Sequence, residues 1–347
     1  MQLYHNNGFC DIPGILAQRM TFNFIIGGRG TGKTYGALRH VLETGTKFIL
    51  MRRTQSQLDT IARNDTNPFK SVVRDLGYDW TCEPVTAGKS IYAYRRTYAK
   101  EDGSADYGDT LGYAIALSTV ANLRGFDMSD VDLLIYDEFI PESHERPLKN
   151  ESDAFFNCYE TINRNRELQG KKPMTVLCLA NANDFACPIL IGLNLVSTVE
   201  RMISQDRTSY VNPQKSVGIF LLTDSPISER KAATALYKLT TGSAFSDMAI
   251  GNAFAGSNDP DVYSVDLRAY SPVVRVGELC IYKHKSESSY YISSHASGSV
   301  GSYSGDGIDM KRFLASYKGV IIAAMTGRIV YETHLVKALF FRYCGFV

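Results

Sequence analysis

The chain has 347 residues, 44% of them apolar, and its 37 Lys and Arg stand against 36 Asp and Glu for a net charge of +1. That balance excludes a disordered chain and a uniformly basic nucleic-acid coat, so contact with a polyanion has to come from a local patch. Seven cysteines, odd in number and with no CxxC pair, exclude a disulfide scaffold or zinc knuckle and read as reduced, buried thiols.

The N-terminus opens Met1-Gln2-Leu3-Tyr4-His5 without a basic region leading into an apolar run, so it does not read as a signal peptide. No stretch approaches the roughly 20 apolar residues needed to cross a bilayer; the expectation is a soluble, intracellular protein without membrane contact. From residue 21 to 183, short apolar runs alternate with helical segments, the pattern of parallel strands crossed over by helices. Phe22-Asn23-Phe24-Ile25-Ile26 predicts a buried strand, followed by a glycine-rich turn and a helix from about Lys33. Residues 47–51 predict a second strand, 111–117 a third (after a polar hairpin around 101–109), 131–136 a fourth and 174–180 a fifth, with a helix over 153–165. Residues 191–222 mix apolar runs with Pro213 and a charged stretch, and read as the exit from this domain. Residues 228–241 predict a helix and 241–261 a loop rich in Gly, Ser and Asn. Beyond them, 273–282 and 289–293 predict antiparallel strands, 297–307 a loop, 309–317 a helix, 319–324 a strand and 332–341 an amphipathic helix. The division is 1–197, a linker or small helical region over 198–240, and a smaller α+β domain over 241–347.

Gly27-Gly28-Arg29-Gly30-Thr31-Gly32-Lys33-Thr34 satisfies GxxxxGK[ST] between a strand and a helix, the setting this motif requires. Its glycines let backbone amides turn inward around a phosphate. Lys33 brings a positive charge toward the β- and γ-phosphates, and the Thr34 hydroxyl suits a magnesium shell. Leu133-Leu134-Ile135-Tyr136-Asp137-Glu138 is the complement: a buried strand ending in two carboxylates at the sheet edge where nucleotides bind. Asp137 is the candidate for the magnesium shell and Glu138 for the base that activates water, which points to ATP hydrolysis. Charge moving onto the γ-phosphate needs a cation beyond Lys33. Arg164, at the end of the following helix, and Arg124, before the acidic strand, are candidates that can act on a neighbouring subunit; Arg166 competes with Arg164. Asn181, with Asn183 as alternate, closes the fifth strand and can bond the γ-phosphate or the lytic water. Arg52, Arg53 and Gln55 follow the second strand and can stack on or bond the adenine or brace the phosphate loop, and Arg29 can sense the phosphate from inside the loop or reach a neighbour.

These pieces resemble the DNA encapsidation ATPases of small tailed phages of the phi29 type. The resemblance lies in the loop that Phe24-Ile25-Ile26-Gly27 begins, in Arg52-Arg53, in Tyr136-Asp137-Glu138-Phe139-Ile140, in Asn163-Arg164-Asn165-Arg166-Glu167 and in Leu179-Ala180-Asn181-Ala182. It covers roughly residues 22–194. It implies a P-loop additional-strand ATPase core, a small linker domain, and a C-terminal domain similar to a degenerate RNase H-like terminase nuclease. It also implies a homomeric ring, usually of five subunits, docked on the portal (connector) protein of a prohead in the host cytoplasm. Such a ring drives double-stranded DNA inward on ATP and magnesium and is absent from the mature virion. In that family the arginine matching Arg164 is the trans-acting one, and a basic residue matching Arg124 works at the same interface. Members near phi29 also bind a structural prohead RNA, which is left open for this chain.

A nuclease of that kind needs convergent carboxylates around two metals, whereas Glu278 is the one acid in the first long strand of the last domain and Asp261, Asp266, Asp306 and Asp309 lie in or beside loops. Nuclease activity is therefore not expected. Candidate DNA contacts are Lys283, His284, Lys285, Lys311, Arg312, Lys318, Arg328 and Lys337. The alternatives to a packaging motor are another nucleic-acid translocase or helicase, a P-loop kinase, which the Asp137-Glu138 pair argues against, and a non-motor, nucleotide-gated assembly protein.

Overall fold

The computed structural model describes residues 1–123, 125–142, 145–146, 148–223, 225–243, 246, 259–296, 298 and 300–346. The chain forms two compact units, Met1–Leu193 with Arg201–Ala255, and Asn194–Glu200 with Gly256–Val347. The described α-helices and strands up to residue 239 are, in chain order, α1 (Ile12–Leu16), β1 (Phe22–Gly27), α2 (Lys33–Thr44), β2 (Phe48–Arg52), α3 (Gln55–Ile61), α4 (Phe69–Leu76), β3 (Thr81–Gly88), β4 (Ile91–Ala99) and β5 (Ala105–Ala116). They continue with β6 (Leu133–Asp137), α5 (Glu151–Asn163), β7 (Thr175–Ala180), α6 (Pro188–Gly192), α7 (Val196–Ser204), β8 (Ser209–Asn212), β9 (Val217–Leu222), α8 (Ser228–Ala232) and α9 (Ala235–Leu239).

The first unit is a mixed α/β body around a nine-stranded sheet of order β3-β4-β5-β2-β6-β7-β1-β9-β8. Its centre, from β5 through β2, β6, β7 and β1 to β9, is parallel, and antiparallel pairs extend both edges. The central strands read Phe-Ile-Leu-Met, Leu-Leu-Ile-Tyr and Val-Gly-Ile-Phe-Leu-Leu and are buried nearly throughout, as strands covered on both faces must be. Because they are parallel, Gly27, Arg52, Asp137 and Ala180 all end at one edge of the sheet.

The structure corrects the boundaries expected from sequence. Residues 209–222, assigned to a linker, are β8 and β9, and β9 pairs with β1 over its full length; residues 201–255 cluster with the first unit. The hairpin β3–β4 was not foreseen, because an edge strand with Pro84 and alternating exposure carries no continuous apolar run. The helix expected over 228–241 is two short helices, α8 and α9, and the loop expected over 241–261 falls mostly outside the described residues.

In the second unit, β10 (Tyr270–Val276), β11 (Leu279–His284), β12 (Tyr290–Ser293), β13 (Ser302–Tyr303) and β14 (Ile329–Tyr331) accompany α10 (Gly307–Ser316), α11 (Lys318–Met325) and α12 (His334–Cys344). The sheet runs β13-β10-β11-β12-β14, with an antiparallel meander at its centre and parallel outer strands. Residues 319–324, expected as a strand, lie in the helix α11. A short apolar run does not declare its period, but here Val320 and Ala323 are the buried residues, one helical turn apart, and the run ends in Ala-Ala-Met, good helix formers. Among the described residues no helix is long and apolar enough to cross a membrane.

Candidate active site

The loop between β1 and α2 is shaped by its glycines. A Cβ on Gly27 would stand 2.4 Å from the Leu222 Cβ of the neighbouring strand, and Gly30 and Gly32 hold φ of 74° and 79°, where a side chain is strained. The Thr31 hydroxyl closes the loop on the Gly28 carbonyl at 3.0 Å. Lys33, the first residue of α2, is only 7% exposed. Its Nζ donates to the Gly27 and Gly28 carbonyls at 2.9 and 2.8 Å and reaches Asn181 Oδ1 at 3.5 Å. Burial pushes its ammonium down to about 8, and Asp137 pulls the other way. A buried ammonium held only by uncharged carbonyl and hydroxyl oxygens is a site built for an anion.

Asp137 closes β6 with its side chain almost buried, and its Oδ1 accepts from the Thr34 hydroxyl at 2.9 Å. The loop threonine and the acidic strand tip, 103 residues apart, are therefore in contact. Glu138 follows at φ 59°, left-handed for a non-glycine residue. Its side chain is half-exposed, and partial burial raises its carboxyl above the usual range while Arg52 opposes the shift. Arg52 binds both acids, Asp137 at 2.9 Å and Glu138 at 2.5 Å. Residues 30–35, Asp137, Glu138, Ala180 and Asn181 line one cleft of about 200 Å³.

The donor set fits a nucleoside triphosphate with a divalent cation. A buried lysine in a glycine-shaped loop suits an anion, a hydroxyl–carboxylate pair suits a hard cation, and a second carboxylate lies beside it. Lys33, Thr34, Asp137, Glu138 and Asn181 are brought together as the sequence suggests, and Asn183 is buried outside the cleft lining. Arg29 turns to an ion pair with Glu142.

Arg53 and Gln55 do not line this cleft and are engaged with other partners. The Arg53 guanidinium is 1% exposed, binds Glu151 through Nε at 2.8 Å and Nη2 at 3.0 Å, and adds Glu145 at 3.0 Å. Glu151 also receives Tyr136 Oη at 3.3 Å and the Leu148 amide at 2.8 Å. Gln55 donates to Asp59 at 2.7 Å and accepts from Thr119 at 2.9 Å. Arg53→Met is expected to leave Glu151 a buried, unpaired charge and to lower stability by about 3–5 kcal/mol, measured by denaturant unfolding. ATP affinity of the folded fraction should stay unchanged; a weaker affinity at unchanged stability would return Arg53 to the adenine.

Arg164 lies at the far edge of the sheet. Helix α5 leaves the acidic edge and runs back, so Arg164 shares a pocket of about 340 Å³ with Phe22, the first residue of β1. The phosphate loop begins at the other end of that strand, about 17 Å away. Arg164 is half-exposed and 3.6 Å from Asp127, whereas Arg166 is tucked in, donating to the Ser129 carbonyl at 2.5 Å and facing Asp132 at 3.5 Å. Arg124 lies outside the described residues.

Two neighbours of the loop were not foreseen. Phe9 packs against Gly32, and Lys231 of α8 donates to the Arg29 carbonyl. No local pattern marks either, because both arrive by chain closure. Arg52, an adenine candidate by its position after β2, instead binds the two acids.

A family model described as Podovirus DNA encapsidation protein (Gp16) matches residues 5–269. The DNA packaging protein of Bacillus phage phi29 is 25% identical over 249 residues, 70% of this chain and 65% of that protein. The DNA packaging protein of Bacillus phage B103 is 26% identical over 254 residues, 72% of this chain and 68% of that protein. The match to the phi29 protein thus spans a little under two thirds of its length. Among solved structures, the bacteriophage Phi-29 viral genome packaging motor assembly is 20% identical, covers 99% of this chain and 100% of that one, and gives a TM-score of 0.65. The Phi-28 gp11 DNA packaging motor is 18% identical, covers 98% of each chain and gives 0.66. At these identities the two structures establish a shared fold.

Proposed function

The chain belongs to the podovirus DNA encapsidation protein (Gp16) family, and from that premise we propose that it is an ATP-driven motor that moves double-stranded DNA into a prohead through the portal. The observation that carries this reading is the 2.9 Å hydrogen bond from Thr34 to Asp137, which sets the phosphate loop against the acidic strand tip. Lys33 and the phosphate loop would hold the triphosphate, Thr34 and Asp137 would hold magnesium, and Asn181 stands beside them. Magnesium held there would supply charge neutralisation at the transferring phosphoryl group. Glu138 takes the proton of the attacking water, and its raised carboxyl suits it to that task. Arg52 holds Glu138 in the conformation seen, so Glu138 acts only after leaving that pair.

The working unit is a homomeric ring, of five subunits by resemblance, acting transiently on the prohead in the host cytoplasm. Arg164 supports this reading: it is exposed and too far from its own cleft, as an arginine serving a neighbour would be. The parallel-centred sheet belongs to a P-loop additional-strand core, and the second unit to a degenerate RNase H-like domain that does not cut DNA. Its acids have structural partners. Asp266 caps a turn at the Arg268 amide at 2.9 Å, Asp306 and Asp309 accept from the Ser304 hydroxyl at 2.8 and 3.0 Å, and Asp261 lies 3.7 Å from Lys337. Of the basic residues suggested for DNA, Lys283, Lys285, Lys311, Arg312, Lys318 and Arg328 are exposed. Lys337, Arg312 and Lys285 are held by Asp259, by Asp309 and by the Arg268 carbonyl, respectively.

ATP turnover should rise sharply when duplex DNA and portal-bearing proheads are both present, with the DNA becoming protected from nuclease. Lys33→Ala should abolish both and weaken ATP binding about 10- to 100-fold, the worth of a hydrogen bond to a charged group. Turnover indifferent to DNA and proheads would remove the motor, and normal ATP binding by the variant would remove the site.

A further inference from the structure

The residues that sequence suggests for the adenine are engaged elsewhere, yet the loop has an aromatic neighbour. Phe9 is 44% exposed. A Cβ on Gly32 would come within 2.8 Å of its Cδ1, so the ring lies against the last glycine of the loop, where α2 begins. The hairpin carrying Phe9 is fixed on three sides. Tyr4 bridges Cys10 within the hairpin, the Cys10 amide donates to the Thr31 carbonyl at 2.9 Å, and Tyr4 Oη donates to the Thr223 carbonyl at 2.7 Å. Ser225 Oγ adds a bond to the Gly8 carbonyl at 3.3 Å, and Gly8 packs closely against Pro226 and Ile227. The ring is thus exposed but held by the phosphate loop itself. Gly32, against which the ring lies, lines the cleft together with the first turn of α2 as far as Tyr35, so a nucleoside leaving the cleft past that turn would meet the ring.

We propose that Phe9 is the platform on which the base of the bound nucleotide stacks, its free face meeting the flat ring of the base. The proposal rests on the reading of the phosphate loop as the nucleotide site. Stacking of this kind tolerates any base, since every base has a π-face, so Phe9 contributes affinity and orientation, and discrimination among bases falls to other groups.

The test is calorimetric titration of the full chain with magnesium ATP and, separately, with magnesium tripolyphosphate, which has the phosphates and no base. Phe9→Ala should weaken ATP binding about 10-fold and leave tripolyphosphate binding within about twofold. Phe9→Trp should keep ATP affinity and add tryptophan emission beyond that of Trp80, the one native tryptophan; ATP should quench the added emission and tripolyphosphate should not. Equal losses for both ligands in Phe9→Ala would show that the ring only braces the loop. No loss for either, or a Phe9→Trp emission blind to ATP, would place the base elsewhere. If the parent chain binds neither ligand, the phosphate-loop reading fails first and the platform with it.

Discussion

Glu138→Gln should retain magnesium ATP with nearly the parent affinity while turnover falls about 10²- to 10⁴-fold, the usual contribution of a positioned general base. The separation of the two effects follows from which contacts the substitution leaves in place. Lys33 on the loop carbonyls, the Thr34–Asp137 bond at 2.9 Å and the Arg52–Asp137 pair at 2.9 Å are all independent of the Glu138 carboxylate. Glutamine keeps the length of the side chain and an oxygen for Arg52, so the left-handed backbone at residue 138 needs no readjustment. What disappears is the group that can accept a proton. Nucleotide binding by calorimetry and single-turnover hydrolysis on the same preparation measure the two quantities separately. Turnover within about threefold of the parent, or binding lost in step with turnover, would remove Glu138 as the base.

The legible part of the site is the part whose geometry is local or set by sheet direction. The phosphate loop is contiguous, so its glycines, Lys33 and Thr34 announce themselves. Asp137 and Asn181 follow from one further step: parallel strands end at the same edge, so the residues that terminate them meet. Arg52 and Arg53 show where this logic stops. Consecutive residues at a strand end point to opposite faces, and one of two adjacent arginines goes to the acids while the other is buried. The partner that decides the matter for Arg53 is Glu151, 98 positions away, and nothing in the run Met51-Arg52-Arg53-Thr54 refers to it. The Thr54 capping box starts α3 at once and takes Gln55 away from the cleft. In the sheet, apolar runs covered on both faces were readable as strands, whereas β3 and β4 show the half-exposed pattern of an edge ribbon. Strand β9 is as apolar as any, but it follows Pro213 and the charged stretch over 200–207, and that pattern reads more simply as a domain exit.

Arg164→Ala should lower turnover of the assembled ring about 10³- to 10⁵-fold, the range of an arginine that meets charge on the transferring phosphoryl group, and the loss should be repairable by a neighbour. The Arg164 subunit has its own cleft intact; an alanine there removes only what it supplies to the next subunit. A Glu138→Gln subunit has the opposite defect: a cleft that binds but does not fire, and an arginine still available. In a mixed ring, some interfaces pair an intact cleft with an intact arginine, and those should hydrolyse ATP although neither parent ring does. A residue about a strand's length from its own phosphate loop cannot give this result by acting at home. Arg166→Ala is the internal comparison. Its guanidinium is committed to the Ser129 carbonyl and Asp132, so it should lower stability without a defect that mixing repairs. Mixed rings of verified composition that stay inactive would assign Arg164 to its own subunit or to the helix end it caps, and the distance across the sheet would then have to close by movement within one chain.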